Sequence, residues 1–491
     1  MTVSKVVSDP VRRPDWALPH LEKKRREVRT HYDRLAHKRE PWIHRNKYYY
    51  DQLIRFLRFV VEPGRRVLQI RSDTGHLLAG LQPAHGVGID VSEKLVKVAA
   101  DLHPDLKFFV QDPENLELDE TFDYILVNSI NDIIDVEASF LRLRDVSSDQ
   151  TRALVLGYNY LWRPLVGIAE ALRLKVPQPA PNWFSPKDIV NLLHLAGFET
   201  VRTYGHFLLP IYIPLLSTLF NRVVARLPLF RRLTFLYLVV ARKVPDWKEV
   251  GTTTVSVVVP CKNERGNIEP AVTRIPKMGR HTEIIFSDDK STDGTADEVR
   301  RMQQKYPEKD IKLVEGPGIC KSKNVWAGFD AAKGEVLMIL DADLTVIPEE
   351  LPYFYKALVE GRGEFINGSR LVYPMQDQAM RGLNIIGNAC FGWAFTFLLG
   401  QRIKDTLCGT KVLWRSDYER LKKFRGTWGI EDRWGDYELL FGAARLHLKI
   451  ADLPVHYMER VYGETKMTKR LSNAWVMLRM CWAALFKLKF V

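Results

Sequence analysis

The stretch GEVLMILDADLTVIPEEL, residues 334–351, joins an apolar run to two carboxylates that lie one residue apart. Val336–Leu340 has the composition of a buried strand, and Asp341 and Asp343 follow it directly. Alternate residues of a strand point the same way, so both carboxylates are expected to face one point at the end of the strand. Two like charges at that spacing repel each other, which predicts a positively charged partner there.

A hard divalent cation is one such partner, because Mg²⁺ and Mn²⁺ bind one or two carboxylates together with phosphate oxygens. A metal ion held by Asp341 and Asp343 would stabilise a diphosphate leaving group. A solvated turn is the alternative interpretation of an isolated D-x-D. Ligands of open α/β sheets bind at the carboxyl ends of strands, and three further polar segments near such ends favour the metal site. These segments are PCKNE at 260–264, SDDKSTDGT at 287–295 and GPGICKSKN at 316–324.

The chain as a whole alternates strand-like and helix-like segments in two series. It has 491 residues, of which 46% are hydrophobic, and this length favours two or three domains. Alternation at this spacing predicts an α/β fold class with two doubly wound domains. We expect a basic arm at residues 1–45, a first domain at 46–245 and a second domain at 246–491. The polar segment ARKVPDWKEVGTTT, residues 241–254, would link the two domains.

The charge balance favours phosphate-bearing partners. Lys and Arg number 72 against 59 Asp and Glu, a net charge of +13, which suits a nucleotide, an anionic membrane or nucleic acid. No RNP motif, zinc-finger spacing or basic zipper is present, so no nucleic acid is expected. Five scattered cysteines without a CxxC pattern predict a reducing compartment and no structural zinc.

Membrane association is expected to be peripheral. The first residues lack the apolar core of a signal peptide, and no apolar run reaches the roughly 20 residues of a spanning helix. Two apolar segments, Phe207–Phe220 and Asn473–Val491, are interpreted as lying on a membrane surface, with plain core as the alternative. A third segment, residues 383–403, is either an interfacial helix or a core helix. We therefore expect a cytoplasmic protein on the cytoplasmic face of a membrane.

An ordered series of motifs in the second half resembles the family 2 glycosyltransferases of the GT-A fold. The motifs are VSVVVPCKNERGNI, EIIFSDDKSTDGT, CKSKN, LDADL, NGSR and DTLCGTKVLWR, within about Val255–Met467. The most similar type is the polyprenyl-phosphate (dolichol-phosphate) sugar synthases. The resemblance implies metal-dependent, inverting transfer of a hexose from a nucleotide diphosphate sugar to a polyprenyl phosphate or a lipid-linked glycan.

The resemblance also implies roles for individual residues at the donor side of this site. Asp343 would hold the metal ion, and Asp341 would lie near the ribose or the metal. Related proteins often carry a glutamine ligand two residues after the second aspartate, where this chain has Thr345, a weaker ligand. Residues implied at the nucleotide sugar are Pro260, Asn263 and Glu264 along the nucleotide, Asp289 at the base with Lys321 near it, and Arg460 and Lys466 over the diphosphate.

The acceptor decides which further residues would act. A polyprenyl phosphate is already an anion, so it needs cations and no general base, and Arg370 and Arg381 match positions that face the lipid phosphate. A surface ion pair is the alternative interpretation of Arg370. A sugar hydroxyl would need a base, for which Asp436 is the candidate, unless it is a carboxylate at a helix N-terminus. Asp405 would orient the acceptor loop.

The first half resembles the class I S-adenosylmethionine-dependent methyltransferases over about Tyr48–Arg242. The similar segments are RRVLQIRSDTGHLLAGL, GVGIDVS, DPENLEL, FDYILVN and LHLAGFETV. The resemblance implies S-adenosylmethionine as a cofactor. Gly75 would belong to its binding loop, Asp90 would hold the ribose hydroxyls, and Asp112 would face the adenine amine.

The loop after the first strand of this half departs from that pattern. Arg71 and Asp73 replace two expected glycines, and Gln69 replaces an acidic residue. Side chains at these positions would occupy room that the cofactor needs, although Arg71 would alternatively pair with the methionine carboxylate. The domain is thus either a degenerate scaffold or membrane-docking module, or a working enzyme in a bifunctional protein that glycosylates and also O-methylates. A non-catalytic assembly protein is a third alternative.

Overall fold

A computed structural model of the chain describes residues 18–172, 174–176, 182–245, 249–372, 382–460, 462 and 470–490. These residues form two compact units, which divide between Val244 and Pro245. We call the N-terminal one unit 1 and the C-terminal one unit 2. Each unit contains one seven-stranded sheet.

The sheet of unit 1 has the strand order β3-β2-β1-β4-β5-β7-β6. All neighbouring strands are parallel except those that pair with β7, which runs antiparallel to both β5 and β6. The strands are β1 (Arg66–Ile70), β2 (His85–Asp90), β3 (Lys107–Val110), β4 (Phe122–Val127), β5 (Ser147–Tyr158), β6 (Phe198–His206) and β7 (Leu236–Lys243).

Helices cover both faces of this sheet, so consecutive residues of its central strands are buried, as in Val67–Ile70 of β1. Val67 packs in one apolar cluster and Leu68 in another, on opposite faces of the sheet. Local signals place the helices; Ser185 and Asp188, for example, form a capping box at the start of α7. The helices are α1 (Leu18–Arg45), α2 (Lys47–Val60), α3 (His76–Leu81), α4 (Glu93–Leu102), α5 (Val136–Leu143), α6 (Arg163–Ala171), α7 (Pro186–Leu195) and α8 (Leu216–Arg222).

The sheet of unit 2 has the order β10-β9-β8-β11-β13-β12-β14, in which β13 is antiparallel to both of its neighbours. Its strands are β8 (Thr254–Cys261), β9 (His281–Asp288), β10 (Asp310–Glu315), β11 (Val336–Ile339), β12 (Phe365–Ser369), β13 (Lys411–Trp414) and β14 (Ile450–Pro454). Its helices are α9 (Arg265–Arg274), α10 (Thr295–Lys305), α11 (Lys321–Ala331), α12 (Leu351–Val359), α13 (Gly382–Leu399), α14 (Arg415–Leu421), α15 (Tyr437–Arg445) and α16 (Arg470–Leu488).

The predicted fold class, two doubly wound α/β domains, is confirmed by these sheets. The sheets are mixed rather than wholly parallel, because each contains one antiparallel strand. Strand β13 is only four residues long and follows a polar loop, so its sequence carries little strand signal. Among the helices that the structure describes, none is long and apolar enough to cross a bilayer.

Candidate active site

Three parallel strands of unit 2, β9, β8 and β11, are neighbours and end at the same edge of the sheet. Asn263 and Glu264 follow β8, Asp289 follows β9, and Asp341 and Asp343 follow β11. The topology therefore brings the polar strand ends of the sequence to one edge, which is where open α/β sheets bind ligands.

The positive partner of Asp341 is Lys321, the first residue of α11. The Lys321 Nζ lies 2.5 Å from Asp341 Oδ1, and the two side chains remain 33% and 27% exposed. Burial raises the pKa of Asp341, but Lys321, with further help from Lys411 and Arg370, more than offsets this and holds that pKa below its ordinary value. The backbone at Gly409 packs so closely that an added Cβ would collide with the Asp341 carboxylate.

Asp343 is held by two groups at its two oxygens. Thr345 donates from its backbone N–H at 3.2 Å and from its hydroxyl at 2.8 Å, both to Asp343 Oδ1. Arg460 donates from a terminal guanidinium nitrogen to Asp343 Oδ2 at 2.5 Å, and another of its nitrogens lies 3.7 Å from Glu264 Oε1. Thr345 therefore orients Asp343, and Arg460 joins Asp343 to the end of β8.

The segments predicted at the nucleotide hold one another in place. Asp289 Oδ1 accepts from the Gly318 backbone N–H at 2.7 Å, and its Oδ2 lies 3.3 Å from Lys262 Nζ. Asn263 adopts a φ of +54°, and its side-chain oxygen accepts from the Thr292 backbone N–H at 2.8 Å. Pro260 is buried near the end of β8. These contacts fix the loops that follow β8 and β9 at the sheet edge where Lys321 meets Asp341.

Arg370 pairs with Asp405 through two hydrogen bonds. Its Nε and one terminal nitrogen donate to the two Asp405 oxygens at 2.7 and 2.9 Å, and its guanidinium lies 5.2 Å from the centre of the Tyr457 ring. Burial raises the pKa of Asp405, but Arg370 outweighs it and lowers that pKa to about 2. Asp405 also accepts from the Leu407 backbone N–H at 3.0 Å, so it orders its own loop. The structure thus favours the ion-pair interpretation of Arg370, in a buried rather than a surface form.

Asp436 is bound by a lysine that the sequence did not single out. Lys411 Nζ lies 2.8 Å from Asp436 Oδ1, and both side chains are buried. Asp436 does not cap the helix that follows it. Asp432 does so instead, because its oxygens accept from four backbone N–H groups, of which the farthest along the chain is that of Glu438. The available signal for Lys411 was a lysine next to the apolar run VLW in the segment CGTKVLW, since a lysine that becomes buried in a strand needs a partner.

Two predicted residues, Arg381 and Lys466, lie outside the described residues. Ion pairs bring several of the others into three groups. Lys321 contacts Asp341; Arg460 contacts Asp343 and approaches Glu264; and Lys411 contacts Asp436.

The carboxylates of Asp341 and Asp343 fit a hard divalent cation, which takes oxygen ligands. Within the described ranges, no group of three or more His, Cys, Asp or Glu side chains could hold a metal ion. A cation at this edge would therefore take its remaining ligands from phosphate or water. The Thr345 hydroxyl already donates to Asp343, so its position favours a role in orienting that carboxylate rather than in binding metal.

In unit 1 the three residues expected at S-adenosylmethionine have partners within the chain. Gly75 precedes α3 with a φ of +78°. Asp90 ends β2, is buried, and pairs with Arg71 at 3.1 Å. Asp112 accepts from the Glu114 backbone N–H at 3.1 Å.

Comparison with known proteins finds a family model that matches the part of the chain from β8 to the start of α15. Residues 256–439 match the model of glycosyl transferase family 2. Over 120 residues the chain is 38% identical to a dolichol-phosphate mannosyltransferase of Pyrococcus furiosus, which covers 24% of this chain and 33% of that protein. Over 109 residues it is 39% identical to the dolichol-phosphate mannosyltransferase of Saccharomyces cerevisiae, covering 21% of this chain and 40% of that protein. The chain thus spans between a third and two fifths of the length of these relatives.

The chain also has weaker similarity to solved structures. One is a SAM-dependent methyltransferase of Thermotoga maritima, described as a possible histamine N-methyltransferase. It is 18% identical, with a TM-score of 0.35, and the match covers 44% of this chain and 99% of that one.

Proposed function

We propose that unit 2, whose residues 256–439 match the model of glycosyl transferase family 2, transfers a hexose from a nucleotide diphosphate sugar to a polyprenyl phosphate. The observation that carries this proposal is the pair of strand-end carboxylates, Asp341 and Asp343, which lie beside Lys321 and Arg460 at one sheet edge. The relatives whose names specify dolichol phosphate support a lipid-phosphate acceptor.

The donor diphosphate would lie against the cations of this edge. Lys321 and Arg460 each contact a carboxylate and remain part-exposed, so both have donors that can turn towards phosphate oxygens. Negative charge that develops on the departing diphosphate is stabilised by such fixed cations in a sheltered cleft. A Mg²⁺ or Mn²⁺ ion held by Asp341 and Asp343 would supply further charge neutralisation at that leaving group.

An anionic acceptor agrees with the state of Asp436. Its Oδ1 is bound by the buried Lys411, so this oxygen is not free to take a proton from a sugar hydroxyl. A lipid phosphate needs no such base: its oxygen attacks the anomeric carbon, the bond from that carbon to the donor diphosphate breaks, and the configuration inverts. A lipid-linked glycan as acceptor is the less favoured alternative.

A membrane surface would deliver such an acceptor, and unit 2 exposes aromatic residues that suit one. Trp393 on α13 is 86% exposed, and Trp475 and Trp482 lie one above the other on the exposed face of α16. The opposite face of α16 is buried in the core together with the last turns of α13. On each of these helices, the buried face agrees with the core interpretation and the exposed aromatic face agrees with the interfacial one.

Vesicle binding tests the membrane part of the proposal. Protein would be mixed with vesicles that contain about 30% anionic lipid and then floated on a density gradient. Replacing Trp475 and Trp482 together by serine should reduce the floated fraction severalfold. Tyr353, an exposed aromatic residue on α12, provides the matched control as Tyr353→Ser. Equal flotation of both variants would contradict the assignment of α16 to the membrane.

Transfer itself is tested with a panel of radiolabelled nucleotide sugars, offered to purified protein with a short polyprenyl phosphate and Mg²⁺ or Mn²⁺. Label should pass into the organic phase for one donor, and a chelator should prevent this. Label that reaches only water-soluble products would contradict a lipid-phosphate acceptor. The bifunctional alternative would require unit 1 to bind S-adenosylmethionine, and no contact within the described residues favours it.

A further inference from the structure

The loop after β1 keeps a glycine-like backbone although two of its glycine positions carry side chains. Arg71 and Asp73 have φ values of +59° and +56°, and Gly75 has +78°. Residues with a Cβ seldom adopt this region. The backbone of the loop is therefore that of a cofactor-binding turn, while the side chains of Arg71 and Asp73 enter the space that glycines would leave open.

Arg71 uses that space to reach Asp90 at the end of β2. Its guanidinium lies 3.1 Å from Asp90 Oδ1, and the two side chains are 4% and 2% exposed. Asp90 Oδ1 also accepts from the Ser92 backbone N–H, and Oδ2 accepts from the Asp73 backbone N–H, both at 3.1 Å. Both oxygens of the carboxylate expected at the ribose are thus bonded within the chain.

Helix α1 lies across the same cleft and contacts each of its walls. The Tyr32 ring stacks 4.5 Å from the Arg71 guanidinium, and its hydroxyl donates to Asp132. Further along the helix, Arg39 pairs with Asp73. Two more contacts, of Asp33 with Ser92 and of Arg25 with Glu114, extend this closure along the cleft.

Arg25 extends the closure to the position expected for adenine. It lies 3.7 Å from Asp112, the carboxylate that the resemblance assigns to the adenine amine. Among the described residues, two small cavities lie beside the helix. One, of about 20 Å³, is lined by Arg25, Arg71, Asp112 and Asp132 among others, and one, of about 40 Å³, lies between Arg39 and Tyr158. Cavities of this size hold one to three water molecules, whereas ligand pockets are an order of magnitude larger.

We infer that the S-adenosylmethionine cleft of unit 1 is filled by the chain itself, with Arg71 and α1 as an internal ligand, and that unit 1 does not bind the cofactor. The residues present do not fit S-adenosylmethionine, because Arg71 binds the carboxylate expected at its ribose, Arg25 lies beside the carboxylate expected at its adenine, and Tyr32 and Arg39 contact Arg71 and Asp73 of the loop that would hold it. Unit 1 is then a structural module, and this holds whether or not unit 2 transfers a hexose.

Calorimetric titration of the full-length protein with S-adenosylmethionine, and separately with S-adenosylhomocysteine, tests the inference directly. We expect no binding heat for either compound up to about 1 mM. A dissociation constant below that value for either compound would overturn the inference, because it would mean that α1 moves out of the cleft or leaves room in it for the cofactor.

Hydrogen exchange tests the position of α1 without any cofactor. In the full-length protein, backbone amides of residues 25–39 should exchange at least about 100-fold more slowly than in an unstructured peptide. Tyr32→Ala removes the contact with Arg71 and should speed their exchange about tenfold or more. Arg34→Ala, at an exposed position of the same helix, is the matched control and should leave it unchanged. Peptide-like exchange in the unmodified protein, or equal rates in the two variants, would overturn the inference.

Discussion

Each of the two sheets has an ion pair at the end of one of its strands, and the two pairs differ in how far their side chains are exposed to solvent. In unit 2, Lys321 pairs with Asp341 and both side chains are about a third exposed. In unit 1, Arg71 pairs with Asp90 and both are almost completely buried. A part-exposed pair is exchanged for a ligand more readily than a buried one, because opening a buried pair leaves a charge without compensation. The strand-end pair of unit 2 is therefore the more open of the two, as the proposed nucleotide site requires, whereas the pair of unit 1 lies inside the closed cleft.

Removal of a carboxylate from the proposed nucleotide site of unit 2 should have the largest effect on activity. Asp343→Ala should reduce hexosyl transfer by about 100-fold or more, because an electrostatic contact at the leaving group commonly contributes about 3–4 kcal/mol to the barrier. The measurement is the initial rate of label transfer to the lipid phase. Thermal unfolding should be nearly unchanged, since this side chain is part-exposed.

Asp297→Ala provides the control for that variant, because Asp297 is an exposed aspartate on α10 that also pairs with an arginine. Its transfer rate should equal that of the unmodified protein. If Asp343→Ala kept full activity, the proposed metal and diphosphate site would be wrong.

Substitution of a residue that fills the closed cleft of unit 1 should lower the stability of that unit. Arg71→Ala leaves the buried Asp90 without its cation, and loss of one partner of a buried pair typically costs about 3–5 kcal/mol. The amides of β1 and β2 should therefore open with a lower free energy, which native-state hydrogen exchange measures. Arg142→Ala is the control within unit 1, because Arg142 and Asp145 form an exposed pair, and it should change that free energy by less than about 1 kcal/mol. Similar losses for both variants would remove the contrast between open and closed clefts.

The fold was largely predictable because it depends on patterns that are local in sequence. Apolar runs followed by polar turns mark most of the parallel strands, and the carboxyl ends of parallel neighbours must meet at one edge. The antiparallel strands were harder to predict. Strand β13 is short and lies between β11 and β12, which precede it by many residues in the chain. Its pairing is therefore decided by tertiary contacts that no local pattern carries.

Most residues of the candidate site could be predicted from the sequence, but the ion pairs that they form could not. The sequence indicated a cation for Asp341 and Asp343, and the structure supplies Lys321 and Arg460. Arg460 lies 117 residues from Asp343 in the chain, and a separation of that size is invisible to spacing rules. The altered loop of unit 1 was likewise evident, but the course of α1 across the cleft depends on tertiary contacts.

The Arg370–Asp405 pair of unit 2 is also buried, and it predicts a pH dependence of stability. The pKa of Asp405 is lowered to about 2 from an ordinary value of about 4, so the carboxylate stabilises the folded protein above pH 4. This contribution, of about 2 kcal/mol, is lost as the pH falls through 2. Urea unfolding at successive pH values between 5 and 2 should show a steeper decline for the unmodified protein than for Asp405→Asn. Parallel curves would show that Asp405 is not stabilised by Arg370 in the folded state.

The smallest effect is expected from loss of the Thr345 hydroxyl, which orients Asp343 at the proposed nucleotide site of unit 2. Thr345→Val keeps the shape of the side chain and removes the 2.8 Å hydrogen bond to Asp343 Oδ1. One such bond contributes about 1 kcal/mol, so the rate of hexosyl transfer should fall by about fivefold. Thr345→Ser retains the donor and should restore most of the rate. If Thr345→Val were as inactive as Asp343→Ala, the hydroxyl would have to act on the metal or the diphosphate itself, because orienting a carboxylate that Arg460 also holds cannot account for so large a loss.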